Sequence, residues 1–207
     1  SASWGLDVDG NYVSQKANAI ATVKDYDMAY GTIEVDVIWK TSVITSGLGV
    51  IFNADIPADA SGLEGGEYYY AHMNPTNGGM QLAYVNNSYT SLNIVALDAN
   101  KTGFAEKLTA AKETNGVLET HYKIEYAPGL VTWYVDGSPV MSVKTETVSK
   151  GVGTGFRTTS AGVMFKNLTV TPTHYQVNFN TMGGLEVDPG RVACGETFDE
   201  LPVPEYP

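Results

Sequence analysis

Ile33, Val35, Val37 and Trp39 take every second position of one stretch, with Thr32, Glu34 and Asp36 between them. That period of two is the pattern of an extended strand with one face against a core. Comparable runs follow at 48–54, 68–73, 80–85, 92–97, 121–126, 131–135, 140–143 and 163–170, separated by Gly, Asn, Asp and Pro. Many short strands at this spacing predict an all-β fold, an antiparallel β-sandwich rather than βαβ units. The connections carry matching chemistry: Asp136-Gly137 and Pro128-Gly129 read as tight hairpins, and Pro75-Thr76-Asn77-Gly78-Gly79 as a turn. Only Phe104 to Lys112 is rich enough in helix formers to predict a short helix.

The same period sorts individual side chains. Tyr69, Ala71 and Met73 share the apolar phase and are expected in the core, while Tyr68, Tyr70 and His72 point to the opposite face. Trp133 is in phase with Val131 and Val135, and Trp39 with Ile33, Val35 and Val37, so both are expected in the core. Trp4 lies outside any clear strand. Arg157 is out of phase with Phe156, and Asn53 with Phe52 and Ala54, so both are expected to face away from it.

The pattern restarts after Pro172, which divides the chain into a sandwich over 1–172 and a small β fragment over 173–207. Tyr175, Val177, Phe179, Asn180, Gly183, Gly184, Val187, Gly195 and Pro202 form a strand, a Gly-Gly turn, a second Val-containing strand and a Gly-then-Pro stretch. This resembles the first half of an internalin-type B repeat, the Listeria-Bacteroides repeat. The resemblance implies a secreted or cell-wall-attached bacterial protein. The start at Ser1 and the Pro-rich stop at Pro207 read as those of a piece of a longer polypeptide.

Composition narrows the partners. Net charge is −11, and the 12 basic residues are scattered singly, so no basic stripe exists to neutralise a phosphate backbone and nucleic acid is not expected. No apolar run approaches the ~20 residues of a membrane span. A single cysteine, Cys194, excludes an intramolecular disulfide framework.

Candidate chemistry begins with Glu34 and Asp36, which share one face of a strand as a carboxylate pair suited to glycoside cleavage would. Family 16 glycoside hydrolases carry Glu-x-Asp-x-x-Glu there, the last Glu being the proton donor. The corresponding position is Trp39, so the donor is missing. The alternative is two solvated carboxylates on an ordinary polar face. His72, His121 and His174 lack transition-metal spacing. Asp7-Val8-Asp9-Gly10-Asn11 starts like a calcium loop, but Tyr12 and Asn18 replace the required Gly and Glu, leaving an Asp- and Gly-rich turn. Calcium held by Asp55, Asp59, Glu64 and Glu67 in one long loop is the remaining cofactor expectation.

The succession YGTIEVDVIW, GLGVIFNAD, EYYYAHMNPTNGGMQLAYV, HYKIEYAPGLVTWYVDGSPV and GVGTGFRTTSAGVMFKNLTV resembles the concanavalin-like, laminin G-like sandwiches. Within these it resembles the family 66 carbohydrate-binding modules of fructan hydrolases. That implies a non-catalytic module binding a polysaccharide or oligosaccharide such as a β-fructan, attached to a catalytic domain in a secreted or cell-surface enzyme. The alternatives are an adhesin or spacer domain binding host protein and a concanavalin-like glycoside hydrolase. Sugar recognition needs aromatic rings for the sugar face and fixed donors and acceptors for its hydroxyls. Glu34, Asp36, Asn53, Tyr68, Tyr70, His72 and Arg157 are the candidate ligand-binding set. Arg157 could instead pair with Glu34 or Asp36 as a surface ion pair.

Overall fold

A computed structural model describes residues 3–42, 47–57, 63, 65–74, 79–96, 103–145, 151–198, 201–203 and 205. The chain forms β1 (Trp4–Leu6), β2 (Tyr12–Ser14), β3 (Ala19–Thr22), β4 (Tyr30–Lys40), β5 (Leu48–Asp55), β6 (Glu67–Asn74), β7 (Gly79–Asn86) and β8 (Tyr89–Ala96). The helix α1 (Phe104–Glu113) follows, then β9 (Val117–Ala127), β10 (Leu130–Val135), β11 (Ser138–Lys144), β12 (Gly153–Thr158), β13 (Met164–Val177) and β14 (Gly190–Ala193). One eight-stranded sheet runs β1-β2-β13-β4-β9-β10-β11, with β14 added to β13. A six-stranded sheet runs β3-β12-β5-β6-β7-β8. Every strand pairing described is antiparallel, so the expected all-β sandwich is what forms.

Strand phase sets the core. Ile33, Val35, Val37 and Trp39 from β4 meet Leu48, Val50 and Phe52 from β5 and Tyr69, Ala71 and Met73 from β6, all fully or nearly fully buried. Trp133 is buried as its phase requires, packed edge-on against Tyr122 at 5.1 Å. Trp4 joins the same core from its rim, tilted against Phe156 and Phe165. The Asp136-Gly137 hairpin joins β10 to β11 with φ of 49° and 79°, the left-handed pair that matches the twist of the flanking strands. Helix α1 lays Phe104 and Leu108 against the end of the sandwich, where Phe104 meets Trp39. Of the predicted turn at 75–79, residues 75–78 lie outside the described residues, but Asn74 and Gly79 pair as its ends.

Period two missed four elements. β1, β2 and β3 are three or four residues each, too short to display alternation. β12 reads GTGFRT and is buried on both faces, so it has no polar phase. At the C-terminal end, β13 runs through Pro172 to Val177, pairing with β4 and then β14, with a register shift between Pro172 and His174. The returning strand contains Val192 rather than the expected Val187. Pro189 intervenes, and it has no N–H to give to a ladder.

Candidate functional site

The seven candidate residues do not form one site. Glu34 and Asp36 lie on β4, on the outer face of the eight-stranded sheet, while Asn53, Tyr68, Tyr70, His72 and Arg157 belong to the six-stranded sheet. The sandwich core separates them, because the sequence pattern reports which face of a strand is polar but not which sheet receives the strand. Arg157 therefore pairs with neither carboxylate.

Asn53 is a structural residue. It is fully buried at the register shift of β5, with φ of 45°, and its side-chain amide donates to the carbonyls of Met28 at 2.9 Å and Ala29 at 3.0 Å. It ties the β3–β4 connection to the sheet rather than facing a ligand.

The carboxylates have found partners on their own face. Asp36 accepts from His121 Nδ1 at 2.8 Å and from Asn167 Nδ2 at 2.7 Å, and His121 Nε2 lies 3.5 Å from Glu34 Oε1. Partial burial raises the Asp36 pKa, but the hydrogen bonds from His121 and Asn167 and the charges of His121 and Lys166 outweigh it, so the net direction is down. Lys166 with Glu119 and Lys123 with Glu125 continue this lattice of exposed pairs. Trp39, where a proton-donating carboxyl would stand, points into the core.

The other four candidates converge. Alternation places Tyr68, Tyr70 and His72 on the outer face of β6, and Phe156, stacked on Phe165 at 4.2 Å in the core, fixes the phase that turns Arg157 to the same face from β12. In the ladder Arg157 pairs with Gly49, and Gly49 with His72, so the strand between them presents no side chain at that row. A Cβ on Gly49 would come within 2.0 Å of the Ala71 carbonyl and 2.8 Å of His72 Cβ. The guanidinium lies 4.7 Å from the Tyr70 ring, 5.8 Å from Tyr68 and 5.7 Å from Tyr89, and its Nη1 donates to Tyr68 Oη at 2.7 Å. His72 stacks on Tyr70 at 4.2 Å, and its Nε2 meets Tyr89 Oη at 2.7 Å.

These groups are far less exposed than alternation implies: Tyr68 is 0%, Tyr70 2%, Arg157 6% and His72 7% accessible. The expected surface platform is instead a second, outer apolar cluster with Ile51, Ala54 and Val85, joined by Ile20, Ile56 and Tyr89. Beyond β5, Ile56 packs on the cluster and the Leu63 carbonyl accepts from Tyr68 Oη. Asp59 and Glu64 of the expected calcium loop lie outside the described residues. Among the described residues no group of acidic, His or Cys side chains is arranged for a metal. Glu67 accepts from Tyr84 Oη at 2.6 Å, and Asp7 receives the backbone N–H groups of Asp9 and Asn11, closing the turn predicted there.

Burial dictates the protonation states. It drives the Tyr70 hydroxyl well up and the Tyr89 hydroxyl up to about 12, although the Arg157 charge pulls both the other way. His72 is pushed down to about 4, first by burial and then by the Arg157 charge, against weaker hydrogen bonding at Gln81 and the Met73 backbone. Near neutral pH, Arg157 is thus the one charged group among these side chains, in a cage of neutral rings. Sequence reasoning missed Tyr89 and Gly49. Tyr89 was legible: it follows the Asn86-Asn87-Ser88 turn and pairs with Val85, three residues before the expected start of its strand.

No family model and no curated protein matches the chain. Solved structures do. The carbohydrate-binding module CBM66 from Bacillus subtilis superimposes with a TM-score of 0.56 at 16% identity, covering 82% of this chain and 91% of that one. A β-glucanase of Bacillus licheniformis follows with a TM-score of 0.51 at 15% identity, covering 82% of each chain. A galectin of Caenorhabditis elegans covers 80% of this chain at 10% identity, with a TM-score of 0.47. The chain has the antiparallel jelly-roll sandwich fold that the first two of these structures share.

Proposed function

We propose that this chain is a non-catalytic carbohydrate-binding module, and that it binds a polysaccharide or oligosaccharide at the outer face of the six-stranded sheet. The observation that carries this reading is the cluster of Arg157, Tyr68, Tyr70, His72 and Tyr89, which combines ring faces with fixed polar groups on one sheet face. Tyr89, the ring of this cluster that stays partly exposed, suits the C–H face of a sugar, and the polar groups beside it suit its hydroxyls. The non-catalytic reading is supported by the other face, where Glu34 and Asp36 are engaged with His121 and Asn167 and the position of a third carboxylate is the buried Trp39. We further read 173–207 as part of a B-type repeat, and the whole as a segment of a secreted or cell-surface bacterial glycan-degrading enzyme whose catalytic domain lies elsewhere.

Titration calorimetry against levan, inulin, galactan, polygalacturonate and mucin glycans tests the binding reading, with a β-fructan as the first ligand to try. Binding that weakens at least tenfold in Tyr89→Ala is the expected result. Uniform absence of binding, with and without calcium, overturns it. Release of products from any of these glycans, abolished by Glu34→Gln, would replace it with a hydrolase.

A further inference from the structure

Arg157 presents an electrostatic imbalance. The residue is only 6% accessible, yet no carboxylate among the described residues pairs with it. One hydrogen bond is made, from Nη1 to Tyr68 Oη, while Nε is buried without an acceptor. Three ring faces offset part of the desolvation of the cation, since cation–π contacts strengthen when water is excluded. They leave the N–H edge formed by Nε and Nη2 unmatched. A buried guanidinium is ordinarily completed by an anion, and this edge has two parallel donors, the geometry of a planar carboxylate.

The surroundings fit such a guest attached to a sugar. His72 Nδ1 is buried without a hydrogen bond, and Tyr89 and Gln81 remain partly exposed, so the cluster is not sealed. His72 is neutral near pH 7, and so are Tyr70 and Tyr89, so none of the three competes for or repels an incoming anion. The exposed charges behind the net −11 oppose a polyanion. Those are screened over about 8 Å at physiological salt, whereas a desolvated contact is not.

We propose that the free N–H edge of Arg157 takes the carboxylate of an acidic sugar, a uronate or a sialate, with Tyr70 and Tyr89 lining the subsite and His72 beside it. The proposal rests on the carbohydrate-binding reading above and narrows it to acidic glycans.

The test needs only the native chain and paired probes: trigalacturonate against its methyl ester, 3′-sialyllactose against lactose, and acetate alone. At least one free acid should bind at least tenfold more tightly than its neutral partner and more tightly than acetate. Arg157→Lys, which keeps the charge but loses the two-donor edge, should abolish that tenfold preference. If Arg157→Lys does not fold, the acid-against-neutral comparison on the native chain still decides. Equal binding of acids and neutral partners, or acetate binding as strongly as the sugar acids, overturns the carboxylate subsite. Binding of neutral glycans alone leaves the carbohydrate-binding reading standing without it, and no binding to any sugar removes both.

Discussion

The two outer faces of this sandwich treat charge in opposite ways. On the eight-stranded sheet, Glu34, Asp36, Glu119, His121, Lys123, Glu125 and Lys166 are in reach of water and pair among themselves. Each carboxylate there has a nearby cation or amide, and each pair is worth little because water would solvate either partner nearly as well. On the six-stranded sheet a single cation is nearly withdrawn from water, ringed by Tyr68, Tyr70 and Tyr89, and left without a counter-charge among the described residues. Polarity of sequence alone does not separate the two cases, since both read as the polar phase of a strand. Burial does, and it makes the second face costly to maintain unless something binds there.

The contrast is broken most severely at Gly49. A methyl group there meets the backbone of β6, which has little room to move, so Gly49→Ala should destabilise the fold by about 3 kcal/mol in urea unfolding. Thr169→Ala, exposed on the opposite sheet where Thr169 pairs with Glu34, should stay within about 0.5 kcal/mol. A similar destabilisation in both would erase the distinction.

Acid titration separates the faces next. The folded pKa of His72, about 4, lies below its ordinary 6.5, so between those values the unfolded chain binds a proton that the folded chain refuses. Stability should therefore be full above pH 6.5, fall as pH drops toward 4 by an amount on the order of 3 kcal/mol, and lose nothing further from this residue below that. His72→Gln should flatten that window. Asp36, held below its ordinary 3.8, contributes stability that is lost only as pH falls below about 4, so Asp36→Asn should leave the window between 6.5 and 4 unchanged.

Tyr89→Phe keeps the ring near Arg157 and removes the partner of His72 Nε2, for an expected loss of about 1 kcal/mol by thermal or chemical unfolding. The smallest effect is expected from Glu34→Gln, within about 0.5 kcal/mol, because its contact with His121 is long and solvated. A large loss from Glu34→Gln would mean that the outer face of the eight-stranded sheet is not the passive one.

Much of the fold was legible because alternation is a local property. Tyr69 inward and Tyr68, Tyr70 and His72 outward followed from one strand, as did the core assignments of Trp39 and Trp133. The Asp136-Gly137 and Pro128-Gly129 hairpins followed from turn chemistry. The site was legible only in part. Arg157, Tyr68, Tyr70 and His72 do meet on one sheet face, whereas Glu34 and Asp36, expected beside them, lie on the other sheet. Asn53 was misjudged because the register shift in β5 carries it out of simple alternation and into contact with the Met28 and Ala29 carbonyls.

By itself, then, the sequence determined the all-β class, most strands, the inward or outward phase of most of their residues, and the charge balance that disfavours nucleic acid. These depend on neighbours one or two residues apart and on simple counts. Only the tertiary structure decided which sheet each strand joins, that the outward tyrosines are covered, and that Arg157 and His72 face each other across Gly49 in a desolvated cage. Those outcomes depend on pairings between β5, β6 and β12, separated in sequence by up to a hundred residues or so. No local period encodes such pairings, because strand order is set by how all the apolar faces are buried together.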